Sequence, residues 1–490
     1  MNNKKNFISA FVLQIVTMIS GLVLPRLILN TFNSEINGLI SSITQFLSFI
    51  SLVEGGLGAV VLAELYRPIE QKNDDKIHEI MLECQNYFSK IAIIFIVYTF
   101  ILSVLYPLIC NSSYSFEFIS SLIIILSIST LIRYLFSVTY KLYLQANQKI
   151  YIVNYCSSLV LLLNLIAAFI AIKLFSSIHI VKISADILFL IQPFVYKKFV
   201  EKKYYVNLSI RKKNKNVLRE RWSGFAQNLA HFINMNTDIT IITIMIGLKE
   251  VSVYSVYMLA IVALRNIISL ISNTYQSALG KYHASQNDKA LKERYTYLQK
   301  INWIISLVLY GTCFLLINSF VKIYTSGIND ANYYQPVFAG VIILATLFFS
   351  ICEPQKFLVL AVGKFKKIKT IFIVEALLNI VLSIVLSTKY GLVGVALGTL
   401  ISVTVRFFYF VFYLRKNIVF IGFKTYIPLL LFTMLFIVVN LYAYNNISFN
   451  IINIFDFVIY GIFVVTIESL IGGLYLFINQ LFIKYRRGQL

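Results

Sequence analysis

Residues 87–109 read YFSKIAIIFIVYTFILSVLYPLI, and from Ile91 to Ile109 not one position carries a charge. A helix of that length rises about 28 Å, close to the ~30 Å thickness of a bilayer's hydrocarbon core. Stretches of this kind recur throughout the 490 residues. The chain is 59% hydrophobic and 13% charged, with mean hydropathy +0.79, whereas soluble domains run at about 45–50% and 25%. No globular core hides so much apolar surface, so the solvent is lipid. A transmembrane β-barrel is excluded, because its strands alternate apolar and polar residues over about ten positions. The fold class is an all-α integral membrane protein.

Windows of about 19 residues place fourteen spans, near 7–28, 36–64, 87–109, 118–140, 151–174, 178–197, 222–248, 251–275, 301–320, 335–360, 368–387, 391–414, 426–444 and 455–481. The second contains Glu54-Gly55-Gly56-Leu57-Gly58, a sequence that bends or locally unwinds a helix. With the N-terminus in the cytoplasm, thirty-five of the 43 Lys and Arg residues fall in or beside inner connections. Six (Arg26, Lys173, Lys182, Lys249, Lys322, Lys389) fall near the outer side, and Arg265 and Arg406 lie inside spans. Arg133, in span four, is counted with the inner group. This asymmetry sets the orientation, with both termini cytoplasmic. It also accounts for the net charge of +22 as a surface facing cytoplasm and anionic lipid, with no nucleic-acid partner. The basic N-terminus, Met1–Phe7, leads into an apolar run with no small-residue cleavage site, so the first span is retained. Heavy use of Ile, Asn, Lys and Tyr suggests a bacterial origin, hence the cytoplasmic membrane.

The five cysteines stand alone and the four histidines are scattered, so the sequence asks for no disulfide, metal or cofactor. The longest outer connection, Val321–Tyr334, is about 14 residues. That is too short for the external acidic or histidine chemistry of a membrane-embedded polymerase.

Several features recur at one interval. Glu35 and Glu250, Lys149 and Lys364, and Asn164 and Asn379 each stand 215 residues apart, while Asn73-Asp74 recurs 214 residues later as Asn287-Asp288. The expected organisation is a six-span lobe at residues 1–210, a second at 211–420, and two further spans in 421–490. An even number of spans per copy leaves both copies the same way up, related by a pseudo-two-fold axis along the membrane normal. In transporters the substrate site lies between such repeats.

Ionisable groups at membrane depth cost several kcal/mol unless they face protein or water, so they are functional candidates. Gln227, His231, Asn234 and Asp238 on span seven are spaced +4, +3, +4, an arc of about 60° on a helix. They read either as a cavity wall for sugars or a coupling cation, or as interhelical glue. Arg265 lies near mid-membrane on span eight, with Ser269 and Ser272 on its face. Its alternatives are a phosphate-binding fork or a buried ion pair with Glu54 or Asp238. Arg26 and Arg406 are further candidates, with interfacial snorkelling and an inner-leaflet anchor as their plainer readings. On span two, Ser41, Gln45 and Ser48 form a polar face and Glu54 adjoins the glycine break. Asp186, Glu353, Glu375 and Glu468 complete the acidic set.

Four short motifs carry a family resemblance: Leu24-Pro25-Arg26-Leu27-Ile28, Glu35-Ile36-Asn37-Gly38-Leu39, Gln145-Ala146-Asn147-Gln148-Lys149 and Tyr390-Gly391-Leu392-Val393-Gly394. With the fourteen-span plan, they resemble polysaccharide flippases of the Wzx type, in the superfamily that includes lipid II flippases and MATE exporters. The resemblance implies alternating-access transfer of an undecaprenyl-diphosphate-linked oligosaccharide from inner to outer leaflet, for capsule, O-antigen or another exopolysaccharide. It also implies a basic cavity for the diphosphate and a groove for the lipid tail beside the last two spans. In lipid II flippases arginines from spans one, two and eight serve that cavity; Arg26 and Arg265 match spans one and eight, but span two has Glu54. On this reading Arg265, Arg26 and Arg406 bind diphosphate, and Gln45, Gln227, His231 and Asn234 contact substrate. Asp238 and Glu54 take part in H+ or Na+ coupling, and the pathway's polymerase is a partner. The alternatives are a cation-coupled exporter of small amphipathic compounds and a polymer-elongating membrane enzyme.

Overall fold

A computed structural model describes residues 3–54, 56–204, 236–285, 287–363, 365–418, 423–446 and 453–486, with Ile421 and Ile451. Among them the secondary structure is helical, without strands. Among the described residues eleven helices are long and apolar enough to cross a membrane. Two of these exceed one crossing: Lys4–Glu54 has 51 residues and Thr370–Asn417 has 48, each about 70 Å or more at 1.5 Å per residue. One non-helical residue divides each of them, Asn33 (φ 79°) and Gly391 (φ 54°). The divisions separate expected spans one from two and eleven from twelve. Nine further expected spans each fall on one helix. Of span seven only residues 236–248 are described, helical over 236–245.

Several helices run well past the apolar windows. Span three begins at Asp74 and span nine at Asp288, because their first turns are polar and carry no hydropathy signal. Asn73 and Asn287 cap these helices, each side chain accepting from the backbone N–H three residues on, Lys76 at 3.0 Å and Ala290 at 2.9 Å.

At Asn33 (φ 79°, ψ 174°) the backbone takes a conformation that side chains rarely adopt, and the residue's own side chain holds it there. Its Oδ1 accepts from Ile36 N at 3.1 Å, and its Nδ2 donates to the Tyr114 hydroxyl at 3.1 Å. Glu35 fastens the same connection to the loop after span three, accepting from Ser112 Oγ (2.8 Å) and from Ser113 N and Oγ (both 2.7 Å). At Gly391 the chain turns back on itself. A side chain on Gly394 would strike the Leu386 carbonyl and one on Gly398 would strike Ser383, so small residues set the close approach of spans eleven and twelve. Asn379 Nδ2 closes the hairpin on Thr399 Oγ1 at 2.9 Å.

By contacts the chain forms two compact units, Met1–Ser252 and Val253–Leu490. Each contains a helix interruption satisfied in the same way. In the first unit, span four carries a π-turn at Arg133–Ser137, and Gln85 of span three donates to the Leu135 carbonyl there. In the second, span ten breaks at Cys352, and Gln299 of span nine donates to the Ile351 carbonyl at 3.0 Å. Pro354 causes the second break: it has no N–H to offer and its ring crowds the Ser350 carbonyl four residues back. Three consecutive carbonyls are then bonded from neighbouring spans. Ile351 takes Gln299, Ser350 takes Asn302 at 2.9 Å, and Phe349 takes a long contact from Arg406 Nη2 at 3.5 Å.

Candidate functional site

The second unit gathers two arginines at the span-ten break. Arg406, on span twelve, has a side chain only 3% exposed and pairs with Glu375 of span eleven, 2% exposed, at 2.9 Å. Its guanidinium lies 4.4 Å from the Phe349 ring centroid and 5.7 Å from that of Phe372. Arg406 is thus enclosed by a carboxylate, two aromatic rings and the Phe349 carbonyl, deep in the helix packing. This placement fits neither an inner-leaflet anchor nor, in this conformation, an open substrate contact.

Arg265 shares the Phe349 ring, 5.5 Å from its centroid, and is half-buried. Among the described residues no carboxylate lies within ion-pair distance of it. Tyr310, whose hydroxyl pairs with Ser350 Oγ at 3.0 Å, is within its electrostatic reach. Arg265 stands 17 residues into the helix Leu248–Ala284, about 25 Å along it. An arginine at that depth meets protein or water rather than lipid. Ser272 does not extend its face, being fully buried and donating to Asn302 Oδ1 at 2.9 Å. The open fork of Arg265 can take a phosphate-class anion through two parallel N–H donors.

In the first unit, Glu54 follows a turn at Phe49–Ile50, and the helix resumes at Leu57 after Gly56 (φ 82°). Glu54 pairs with Arg133 of span four at 3.0 Å. Gln45 and Ser48 bond one another, Gln45 Nε2 donating to Ser48 Oγ at 3.3 Å, on a half-buried face with Ser41. Arg26 is half-buried, and Asp238 is buried on the last turns of span seven. Near it Thr243 joins a buried chain of hydroxyls, with Tyr106 donating to Ser42 at 2.7 Å and Ser42 meeting Thr243 at 2.7 Å. Gln227, His231 and Asn234 lie outside the described residues. Among those described, no group of His, Cys, Asp and Glu is placed to hold a metal ion.

Sequence reasoning missed Phe349 and the role of Arg133. Nothing marks Phe349 among 40 phenylalanines, and Arg133 was absorbed into the inner-side charge count.

No protein-family model matches the sequence, and no curated protein matches it. Solved structures do match. The lipid II flippase MurJ, in an inward closed conformation, superimposes with TM-score 0.70 at 17% identity over 98% of both chains. The chain has this transporter's fold. An inward-facing multidrug resistance MATE family transporter of the MOP superfamily matches at TM-score 0.64 and 13% identity, covering 81% of this chain and 93% of its own. A Vibrio cholerae MATE transporter matches at TM-score 0.56 and 14% identity, covering 85% and 98%.

Proposed function

We propose that the protein is a flippase carrying undecaprenyl-diphosphate-linked oligosaccharide across the bacterial cytoplasmic membrane by alternating access, supplying capsule, O-antigen or another exopolysaccharide. The observation that carries this reading is Arg265: a half-buried guanidinium at membrane depth, steadied by Phe349, with no carboxylate partner among the described residues. A cation so placed costs several kcal/mol unless water or an anion meets it, and a diphosphate passing through would supply the anion. The coverage of the structural matches supports the same reading. The lipid II flippase spans 98% of the chain, whereas the two MATE exporters span 81% and 85%.

The lobes of this flippase are residues 1–210 and 211–420, with two further spans after them, and both termini are cytoplasmic. The matched devices at Asn73–Gln85–Leu135 and Asn287–Gln299–Ile351 support that division. Arg26 and the span-seven residues Gln227, His231, Asn234 and Asp238 contribute to the substrate path. The test is reconstitution in proteoliposomes with a fluorescent undecaprenyl-diphosphate oligosaccharide in the inner leaflet. Protein-dependent appearance of the label outside supports the function, and no transfer by well-folded protein defeats it.

A cation-coupled exporter of small amphipathic compounds is favoured by the buried carboxyls of Asp238 and Glu468, 9% and 4% exposed. Raised drug susceptibility in a deletion strain with normal surface polysaccharide would select it.

A further inference from the structure

The first unit contains a second basic site at an interrupted pair of helices. Span two is broken around Glu54 and span four is widened by the π-turn at Arg133–Ser137. Side chains of span three hold both interruptions. Tyr98 donates to the Phe46 carbonyl at 2.7 Å, Tyr87 to Val53 at 3.2 Å, and Gln85 to Leu135. Interrupted helices and π-turns at membrane depth concentrate at ligand sites. Here they bring Glu54 against Arg133.

The resulting ion pair is built differently from the one in the second unit. Arg406 and Glu375 are sealed at 3% and 2% exposure, and both carboxylate oxygens lie on the guanidinium, at 2.9 and 3.1 Å. Arg133 and Glu54 are 46% and 33% exposed. Arg133 Nη2 and the Tyr134 hydroxyl both donate to the same oxygen, Glu54 Oε1, and Nη2 also reaches the Tyr134 oxygen at 3.1 Å. The guanidinium rests 4.9 Å from the Tyr134 ring centroid. Glu54 Oε2 and the Nη1 and Nε atoms of Arg133 have no partner among the described residues. Half the guanidinium fork is therefore presented outward. Arg133 stands 17 residues beyond Phe116, where its span begins, about 25 Å along it. That is toward the inner edge of a ~30 Å layer, where the exposed charge reaches water. Lys141, two turns further on, is exposed and within electrostatic reach of both members of the pair. Two cations and one carboxylate leave the cluster net positive, which favours an anion over a cation.

We propose that Arg133 and Lys141 form an exchangeable binding site for a phosphate-class anion, with Glu54 as the competing group an incoming phosphate displaces. The assignment of diphosphate as the ligand rests on the function proposed above. A phosphate would take the free edge of Arg133 through two donors, with Lys141 as a point charge. Glu54 holds the arginine in position between ligands and repels the anion while charged.

The test measures binding of inorganic diphosphate, and separately of undecaprenyl diphosphate, to the full-length protein in phosphatidylcholine nanodiscs. Arg133→Ala should weaken binding about tenfold or more, the loss expected for a charge-assisted pair. Arg133→Lys should fall between, which separates loss of the fork from misfolding. Glu54→Gln should tighten binding several-fold, an effect a purely structural ion pair would not produce. This pattern with both probes assigns the phosphates as the ligand; the same pattern with the lipid probe alone assigns a lipid headgroup that also needs its chain. Wild-type affinity in a well-folded Arg133→Ala protein, with binding lost in Arg265→Ala, removes this site and leaves the proposed function standing. Absence of binding of either probe to the wild type overturns both. Unchanged diphosphate affinity in Glu54→Gln, with loss of Na+ or H+ dependence of transport, gives the cluster to a cation and overturns the proposal.

Discussion

Asn37 Nδ2 donates to Ser252 Oγ at 2.8 Å, across 215 residues of chain. Both belong to the first compact unit, and both are buried. The interval is the one that separates the recurring sequence features. Beside Asn37, a side chain on Gly38 would land on the Leu248 carbonyl. Paired cysteines at Asn37 and Ser252, in a background lacking the five native cysteines, should cross-link with a short thiol reagent. Gly38→Val should abolish function by forcing the two helices apart. Failure to cross-link in both resting and transporting membranes would show that this contact does not form in the membrane.

Arg265→Ala should abolish transport while membrane abundance stays near normal. Arg265→Lys, which keeps the charge but loses the fork, should retain a fraction, roughly a tenth, in line with loss of one charge-assisted pair. Polymer output and immunoblotting read the two effects separately. Full transport by the alanine variant would remove Arg265 from anion binding.

Arg406→Ala should act on folding instead. It takes from Glu375, 2% exposed, the cation that neutralises it, and breaking a buried ion pair from one side costs about 3–5 kcal/mol. Folded protein should fall sharply in fluorescence-detected size exclusion. The double change Arg406→Met with Glu375→Leu should recover much of it, because a well-packed apolar pair can replace a buried ion pair. Normal stability of the single variant would show that the Arg406–Glu375 pair does not hold the fold.

The orientation predicts that single cysteines at Asn111 and Asn329, both exposed, react with an impermeant maleimide added to intact cells. One at Gln71, exposed in the turn between spans two and three, should react only after permeabilisation. The reverse pattern would invert the topology.

The membrane fold was legible because a hydrocarbon layer forces every span to be about twenty apolar residues long, and windows such as Ile91–Ile109 register that directly. The divisions at Asn33 and Gly391 were legible for the same reason, since no single crossing accommodates 48 or 51 residues. The pairing of charges was not. Arg406 meets Glu375 across a hairpin, 31 positions away, and Arg133 meets Glu54 across 79, whereas helical periodicity relates only residues three or four apart on one helix. Ser272 shows the same limit: it shares the face of Arg265 by spacing, yet its hydroxyl is spent on Asn302.

The triple attachment at the span-ten break also sets how this chain can vary. At the Pro354 break Gln299 and Asn302 answer the Ile351 and Ser350 carbonyls, Arg406 reaches the neighbouring Phe349 carbonyl, and Glu375 in turn neutralises Arg406. A descendant that lost the proline would regain a continuous helix and strand two amides and an ion pair without employment in a dry interior. Drift at any one of the five positions is therefore selected against until the others follow, and in an alignment of relatives they should change as a block or not at all.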